Sequence, residues 1–311
     1  MSFLPHDRAA PQTRRLLHES MGISIIDFRC RAHVEPLGPE EPNGTHSIVF
    51  IRRGVFQRTQ HRQTLVADPN HILFFNAAHP YRYSHPLAGG DDCTILAVAT
   101  NAALDLVARH APWDAEKPEK PFHVPRGLNS PRSARLHYEL LALLHAGPPR
   151  LIIEDALAEL THEAIRAAYT SHGQLQRQIR SSPSGAGVLR RHRELTEAAK
   201  LAINEKLEAL PTLNQLAQDL SCSPFHLSRV FHQTAGMSLR RYVGRLRVNV
   251  AADRLSRRAA DLTELALDLG FADHSHFTNT FRREWGCSPS RLRARFALSR
   301  KKFQAFRRSL V

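Results

Sequence analysis

The stretch from Leu213 to Pro289 sets out one plan twice, and few folds accommodate that. In the first copy Leu213, Leu216, Ala217 and Leu220 recur at helical spacing and make one apolar face. Ser221-Cys222-Ser223 breaks the pattern. Ser223 is a natural N-cap, and Pro224 suits the first helical position, where its missing N–H costs nothing. The next helix turns Leu227, Val230 and Phe231 inward and leaves Phe225, His226, Ser228, Arg229 and His232 facing out, until Gly236 stops it. In the second copy Thr263 is placed to cap a short helix whose apolar positions are Leu265, Ala266 and Leu269, and Gly270 ends it. Asp273 then caps a helix in which Phe277 and Phe281 face the core. His274, Ser275, Thr278 and Asn279 are left exposed, and Gly286 closes the helix before Ser288-Pro289. A short helix, a tight turn and a second helix with a polar outer face is the arrangement that lays a helix in the major groove of DNA.

Between the copies, Ser238 to about Arg257 reads as one helix, with Leu239, Tyr242, Val243, Leu246, Val250 and Leu255 at helical spacing. About twenty residues at roughly 1.5 Å each make a rod of about 30 Å, close to one turn of B-DNA, so two reading helices reach successive major grooves on one face. On these residues the segment resembles the DNA-binding domain of the AraC/XylS family of bacterial transcription regulators. The likeness rests on Leu227-Ser228-Arg229-Val230-Phe231, on Tyr242, on the RLR of Arg245 to Arg247, and on Ala251-Ala252 with Leu255. It continues through Gly270-Phe271 and the pattern DxSxFxxxFRRxxGxSP from Asp273 to Pro289. Ser228 and Asn279 stand where many members have larger Gln or Arg side chains, which leaves the base preference open.

The resemblance implies double-stranded promoter DNA as partner, a small-molecule effector, a homodimer, and RNA polymerase as a further candidate partner. Helical phase exposes Phe225, His226, Ser228, Arg229, His274, Ser275, Thr278 and Asn279 on the two reading helices, and these are the expected DNA contacts. Arg229 is the prime candidate for base readout, because arginine can bond guanine O6 and N7 together. The bland alternatives for Arg229 are a phosphate contact or an internal salt bridge. Charge agrees with a nucleic-acid partner. The net +14 divides unevenly: residues 1–188 hold 20 basic and 18 acidic side chains, the rest 23 and 11, so +12 lies in the last 123 residues.

The front of the chain has a different period. After a polar start, in which Thr13 to Glu19 is expected as a short helix, the segments ISIIDFRC, HSIVFIRRGVFQRT, QTLVADP, HILFFNA, YRYSHP and CTILAVAT read as strands punctuated by Pro and Gly turns. The expected fold class is α+β multidomain: an N-terminal antiparallel β-barrel, resembling the cupin-like sensor domain of the same family, with a helical extension, then an all-α domain of two helix-turn-helix units. The extension has a short helix at Asn101 to His110, one starting at Pro131 with Leu136, Leu140, Leu141 and Leu144 on one face, and one over Ile152 to Tyr169 with Leu157, Leu160, Ala164 and Ile165. These stripes either pack on the barrel or also dimerise it. The expected divisions are a sensor and dimerisation domain over 1–173, a flexible linker over 174–188, a DNA-binding domain over 189–297 with its units at about 213–236 and 263–286, and a basic tail over 298–311. The domain from Leu189 onward is expected to bind DNA without the barrel.

No apolar run approaches the roughly 20 residues of a membrane span, and the N-terminus lacks a signal peptide's apolar core, so a cytoplasmic protein away from membranes is expected. No nucleophile elbow, P-loop or dinucleotide fingerprint occurs, and no cofactor is expected. Enzymatic cupins hold metal with an HxH, a glutamate and a later histidine; here FQRTQHRQT follows Gly54 with neither HxH nor Glu. The HxH of His274 and His276 falls on a helix, where positions two apart point to different sides. One cluster stands out: Tyr81, His85, Asp91, Asp92 and Cys93 within one hairpin, with Cys30 and His33 on the first strand. Cys30, Tyr81, His85 and Cys93 are therefore candidates for an effector or soft-metal site, the bland reading being that the cysteines are small buried apolar residues. Arg52, Arg53 and Arg82, if inward, would need a carboxylate or an anionic ligand, which favours an aromatic or carboxylate-bearing effector over a metal. The alternative from another class is a metal-binding or enzymatic cupin with a DNA-binding appendage.

Overall fold

Side-chain alternation along the strands builds two sheets that face each other. The computed structural model describes residues 12–32, 36–60, 63–180, 185–257 and 261–297. The strands are β1 (Gln12–Ser20), β2 (Ile23–Cys30), β3 (Glu41–Pro42), β4 (His46–Gly54), β5 (Phe56–Gln60), β6 (Gln63–Ala67), β7 (His71–Phe75), β8 (Pro80–Ser84), β9 (Asp91–Val98) and β10 (Arg126–Leu128). A six-stranded sheet has the order β1-β2-β9-β4-β7-β10 and a four-stranded sheet the order β3-β8-β5-β6, with antiparallel pairing throughout. This corrects the expected barrel: among the described residues the hydrogen-bonded strands form two separate sheets and no closed one.

Between the sheets lie Val49, Ile51, Leu73, Phe75 and Cys93 from one side and Phe56, Tyr81 and Tyr83 from the other. The opposite face of the large sheet presents Ile23, Ile25, Ile48, Phe50, Ile72, Phe74, Leu96 and Val98 to helices. Covered on both faces, β4 is buried along most of its length and carries the apolar run Ile48-Val49-Phe50-Ile51. HSIVFIRRGVFQRT is two strands, because Gly54, at a φ of 78°, turns the chain from one sheet to the other. Thr13 to Glu19 is also corrected. These residues belong to β1, an edge strand paired along β2, with Leu16 exposed.

The helical extension comprises α1 (Thr100–Ala108), α2 (Pro131–Ala146) and α3 (Arg150–Arg180). Ser130 caps α2 by accepting from the Ser133 N–H at 3.0 Å, and Gly147 ends it in the left-handed region. Leu136, Leu140, Leu157 and Leu160 are all buried against the sheet, so the stripes considered for dimerisation are internal to the chain. The linker expectation changes too. Gln174 to Arg180 continues α3, residues 181–184 lie outside the described residues, and the next helix starts at Ala186. The tail from 298 and the first eleven residues also lie outside them.

The C-terminal part contains α4 (Ala186–Glu205), α5 (Leu213–Asp219), α6 (Pro224–Ala235), α7 (Leu239–Arg257), α8 (Leu262–Asp268), α9 (His274–Trp285) and a helical segment at 289–297. The first half of α7 packs Tyr242 and Leu246 with Leu216, Ala217, Leu227 and Phe231, over Ala199 and Ile203 of α4. Its second half packs Val248, Ala251, Ala252 and Leu255 with Leu265, Phe277, Phe281 and Trp285. One helix is thus the spine of both units. The cap of α8 is Asp261, which accepts from the N–H groups of Thr263 and Glu264 at 2.8 and 2.9 Å, so Thr263 is a donor within the first turn and not the cap.

The two parts share a buried junction. The face of α2 opposite its sheet contacts puts Ala134, Tyr138 and Leu141 into the second unit's core. Beside it Tyr242 donates to Asp68, Asn204 Nδ2 reaches Asp68 Oδ2 at 3.0 Å, and Asn249 Nδ2 reaches Asn70 Oδ1 at 3.1 Å. Glu197 on α4 accepts from the Val66 N–H at 2.7 Å, from Arg126 and from Lys200, both at 2.9 Å.

Candidate functional site

Each unit presents its second helix through capping. Ser223 accepts from the His226 N–H at 3.2 Å with Pro224 behind it, and Gly236 closes α6 at a φ of 70°. Asp273 accepts from the His276 N–H at 2.7 Å, and Gly286 closes α9 at a φ of 68°. Leu227, Val230 and Phe231 are buried on α6, as are Phe277, Phe281 and Trp285 on α9. Phe225, 90% exposed, projects from the start of α6 with Ser228 and Arg229 exposed beside it. His226 is half-buried, its ring 5.7 Å from that of His192 on α4. On α9, His274, Ser275 and Asn279 are exposed, whereas Thr278 is half-buried.

Arg229 has neither an ion-pair nor a hydrogen-bond partner among the described residues, which removes the internal salt bridge as its role. The RLR arginines behave otherwise. Arg245 is buried, donates to the Asn129 carbonyl and lies 3.8 Å from Glu284 on α9. Arg247 donates to the Gly270 carbonyl at 2.6 Å and the Leu207 carbonyl at 3.0 Å. These motif residues hold the units onto α7. Between the units runs a groove of about 420 Å³, lined in part by Arg240, Arg247, His276, Asn279 and Arg283. Of these, the sequence pattern marks only Asn279 for DNA; Arg240 and Arg283 are exposed cations at the groove, and only the folded geometry places them there.

The second site lies between the sheets. A cavity of about 90 Å³ is lined by Phe28, Val49, Phe56, Phe75, Tyr81 and Tyr83 around Cys30, His85, Asp91 and Cys93. His85 Nε2 is 2.9 Å from Asp91 Oδ1, and the Cys93 thiol donates to Asp91 Oδ2 at 3.0 Å. One donor atom each from Cys30, His85 and Asp91 lies within 4.8 Å of the others, and all three residues are buried. Burial disfavours the His85 imidazolium, but hydrogen bonds and charge from Asp91 and Cys30 prevail and push it up to about 10. Burial, with Asp91 adjoining, raises the Cys93 thiol.

Backbone packing makes this convergence. A Cβ on Gly90 would fall 2.2 Å from the Cys30 carbonyl oxygen, and one on Gly54 would fall 2.0 Å from the Gly90 carbonyl oxygen. Only bare backbone lets the ends of β2, β4 and β9 close to that extent. Tyr81 lines the cavity with its ring 5.0 Å from Phe75. Asp92 points to the other face of β9, and His33 lies outside the described residues.

None of the three expected arginines faces the cavity. Arg52 pairs with Asp27 on the helical side, and Arg53 and Arg82 are exposed. The arginine that lines the cavity is Arg14 of β1, 5.3 Å from the Phe28 ring centroid. Arg58, buried beside the cavity, donates to the Phe74 carbonyl at 2.9 Å and stacks 4.2 Å from the Phe75 ring centroid. Burial lowers its guanidinium to about 10. His274 and His276 are both exposed and not part of this cluster.

A family model described as a helix-turn-helix domain matches residues 216–295. Over 78 residues the chain is 37% identical to the HTH-type transcriptional activator RhaS of Escherichia coli (strain SE11). Over these residues the chain is similar to the helix-turn-helix part of AraC-type regulators. The match takes in 25% of this chain, which spans 28% of the length of that curated relative. Among solved structures, an AraC-type transcriptional regulator from Chromobacterium violaceum aligns at 28% identity and a TM-score of 0.32, over 36% of this chain and 97% of that one. ToxT from Vibrio cholerae O395 aligns at 8% identity and a TM-score of 0.33, over 89% of this chain and 99% of that one. Among the described residues no helix is long and apolar enough to cross a membrane.

Proposed function

We propose that this chain is a sequence-specific, duplex-DNA-binding transcription regulator whose N-terminal sandwich receives a small effector. Its chemistry is binding, without turnover. The observation behind the reading is the pair of capped helices, α6 and α9, that present Phe225, Ser228, Arg229, His274, Ser275 and Asn279 outward from a shared spine. Nineteen residues of α7 at roughly 1.5 Å each span about 28 Å, which suits successive major grooves. The +12 charge of the last 123 residues supplies the phosphate attraction.

The test uses the full chain, because α2 and the Asp68 loop complete the core around α7. Selection of bound duplexes from a random pool, followed by affinity measurements across salt, should yield a preferred sequence and a steep loss of affinity with salt. Folded protein that ignores duplex DNA at low salt would overturn the reading.

A further inference from the structure

We propose that Cys30, His85 and Asp91, with Cys93 orienting the carboxylate, form a binding site for one soft divalent cation of the zinc class, and that this cation is what the N-terminal cavity receives. The converging donors are one thiol, one imidazole and one carboxylate, which leaves a fourth position open. That mixture suits zinc, which takes four ligands from sulfur, nitrogen and oxygen in a tetrahedron. The donors come from three places in the chain, the end of β2, the residue after β8 and the start of β9, and the glycine contacts at Gly54 and Gly90 hold those places together. Cys30, His85, Asp91 and Cys93 are each no more than 3% exposed.

Charge balance supports the choice. On binding, Cys30 and His85 each release a proton, so a Cys30 thiolate and the Asp91 carboxylate neutralise a divalent cation with His85 a neutral third ligand. The Cys93 thiol, donating to Asp91 Oδ2 at 3.0 Å, orients that carboxylate. A neutral complex is what an enclosure walled by Phe28, Phe56, Phe75, Tyr81 and Tyr83 tolerates. A purely structural purpose explains the cluster poorly, since well-packed apolar side chains usually serve stability as well as a buried ion pair does.

This inference concerns the effector class of the proposed regulator, yet its first test is independent of DNA. The reduced full chain, freed of metal, is titrated with Co(II) as a spectroscopic probe and then with Zn(II) as competitor. The expected result is one Co(II) per chain, with thiolate-to-metal charge-transfer absorption and the intense visible bands of a tetrahedral site, displaced by Zn(II). Cys30→Ser and Asp91→Asn should each weaken Zn(II) binding at least tenfold, and Cys30→Ser should diminish the charge-transfer band. Circular dichroism confirms that each variant is folded. If His85→Ala unfolds, His85→Gln keeps the site testable, because the glutamine fills space but is a poor ligand. Failure of the folded, reduced wild type to take up Co(II) or Zn(II) overturns the proposal. So does unchanged uptake by a folded Cys30→Ser/Cys93→Ser variant, which would place the metal at Cys222, Cys287 or surface histidines. DNA binding that survives either failure leaves the regulator reading intact.

Discussion

Asp92 Oδ2 and Arg257 Nη2 meet at 2.5 Å, joining the start of β9 to the last residue of α7 across 165 positions of sequence. Asp92 is wholly buried and also accepts from Arg31 at 2.5 Å. Its neighbours Asp91 and Cys93 point the other way, into the cavity between the sheets. The two faces of one strand therefore line the cavity between the sheets and contact the helix shared by both helix-turn-helix units. A ligand shifts a conformational balance only by differing affinity for its states, and a strand that touches both is a direct means for that.

Removing Arg257 tests the contact. Arg257→Ala should lower stability by at least about 1.5–3 kcal/mol, the range for hydrogen bonds to charged groups, because Asp92 keeps Arg31 but buried Asp253, 2.7 Å from Arg257, also loses its partner there. Asp92→Asn, which leaves the Asp253 pair intact, separates the contact between β9 and α7 from that pair. Urea unfolding followed by circular dichroism measures it. An unchanged midpoint would mean that β9 and α7 do not meet in solution.

Arg229→Ala should cost about 1–3 kcal/mol on the selected duplex and relax preference at one base position, as expected for an arginine that reads guanine. Binding to a panel of single-base variants separates this from a phosphate contact, which would weaken every duplex equally. Stability should be unaffected, because Arg229 is exposed and has no partner in the fold among the described residues.

Much of this architecture is readable in the sequence where local chemistry decides it. Ser223-Pro224 and Gly236, or Asp273 and Gly286, fix helix ends by capping alone, and both ends fall where the residues place them. The cap at Asp261 is readable too: Asp261-Leu262-Thr263-Glu264 matches the acid-x-x-Glu signature of a helix start. Long-range pairing is what sequence hides. QTRRLLHES has no alternation of its own and becomes β1 only by hydrogen bonding to β2. The polar run from Gln174 to Arg180 is helical as the continuation of α3. Cys30, His85 and Cys93 are identifiable as donor types, but their meeting depends on a backbone approach at Gly90 that no spacing reveals.

Leu140→Ala distinguishes core from interface. Leu140 is fully buried against the sheet, so truncation should cost about 2–5 kcal/mol through lost burial and the cavity left behind. Sedimentation should show the same oligomeric state as the wild type. A stable variant with altered assembly would return the leucine stripe to a dimerisation role.

The junction also predicts how stability varies with pH. His71 is buried on Asp68, at 2.8 Å, with Lys200, Arg126 and Tyr242 nearby. Burial lowers its imidazole to about 4, against 6.5 ordinarily, although Asp68 pulls the other way. Glu197 is lowered to about 2 by Arg126 and Lys200, which outweigh its burial, against 4.5 ordinarily. In both cases the folded state binds fewer protons than the unfolded chain. The stabilisation is thus complete above the unfolded value and is lost as pH falls toward the folded one. For His71 that window is pH 6.5 to 4, and Glu197 adds to it below about 4.5. Lys200, lowered to about 8 chiefly by burial, is protonated in both states below neutrality and leaves this window unchanged. Thermal unfolding of the full chain should therefore show Tm falling steadily from about pH 7 to about pH 4.5. His71→Gln should flatten the upper part of that fall, whatever it does to Tm at neutral pH, because glutamine does not titrate. An equal slope in the variant would show that His71 is solvated or protonated in the folded chain, and that the junction at Asp68 is not closed as described.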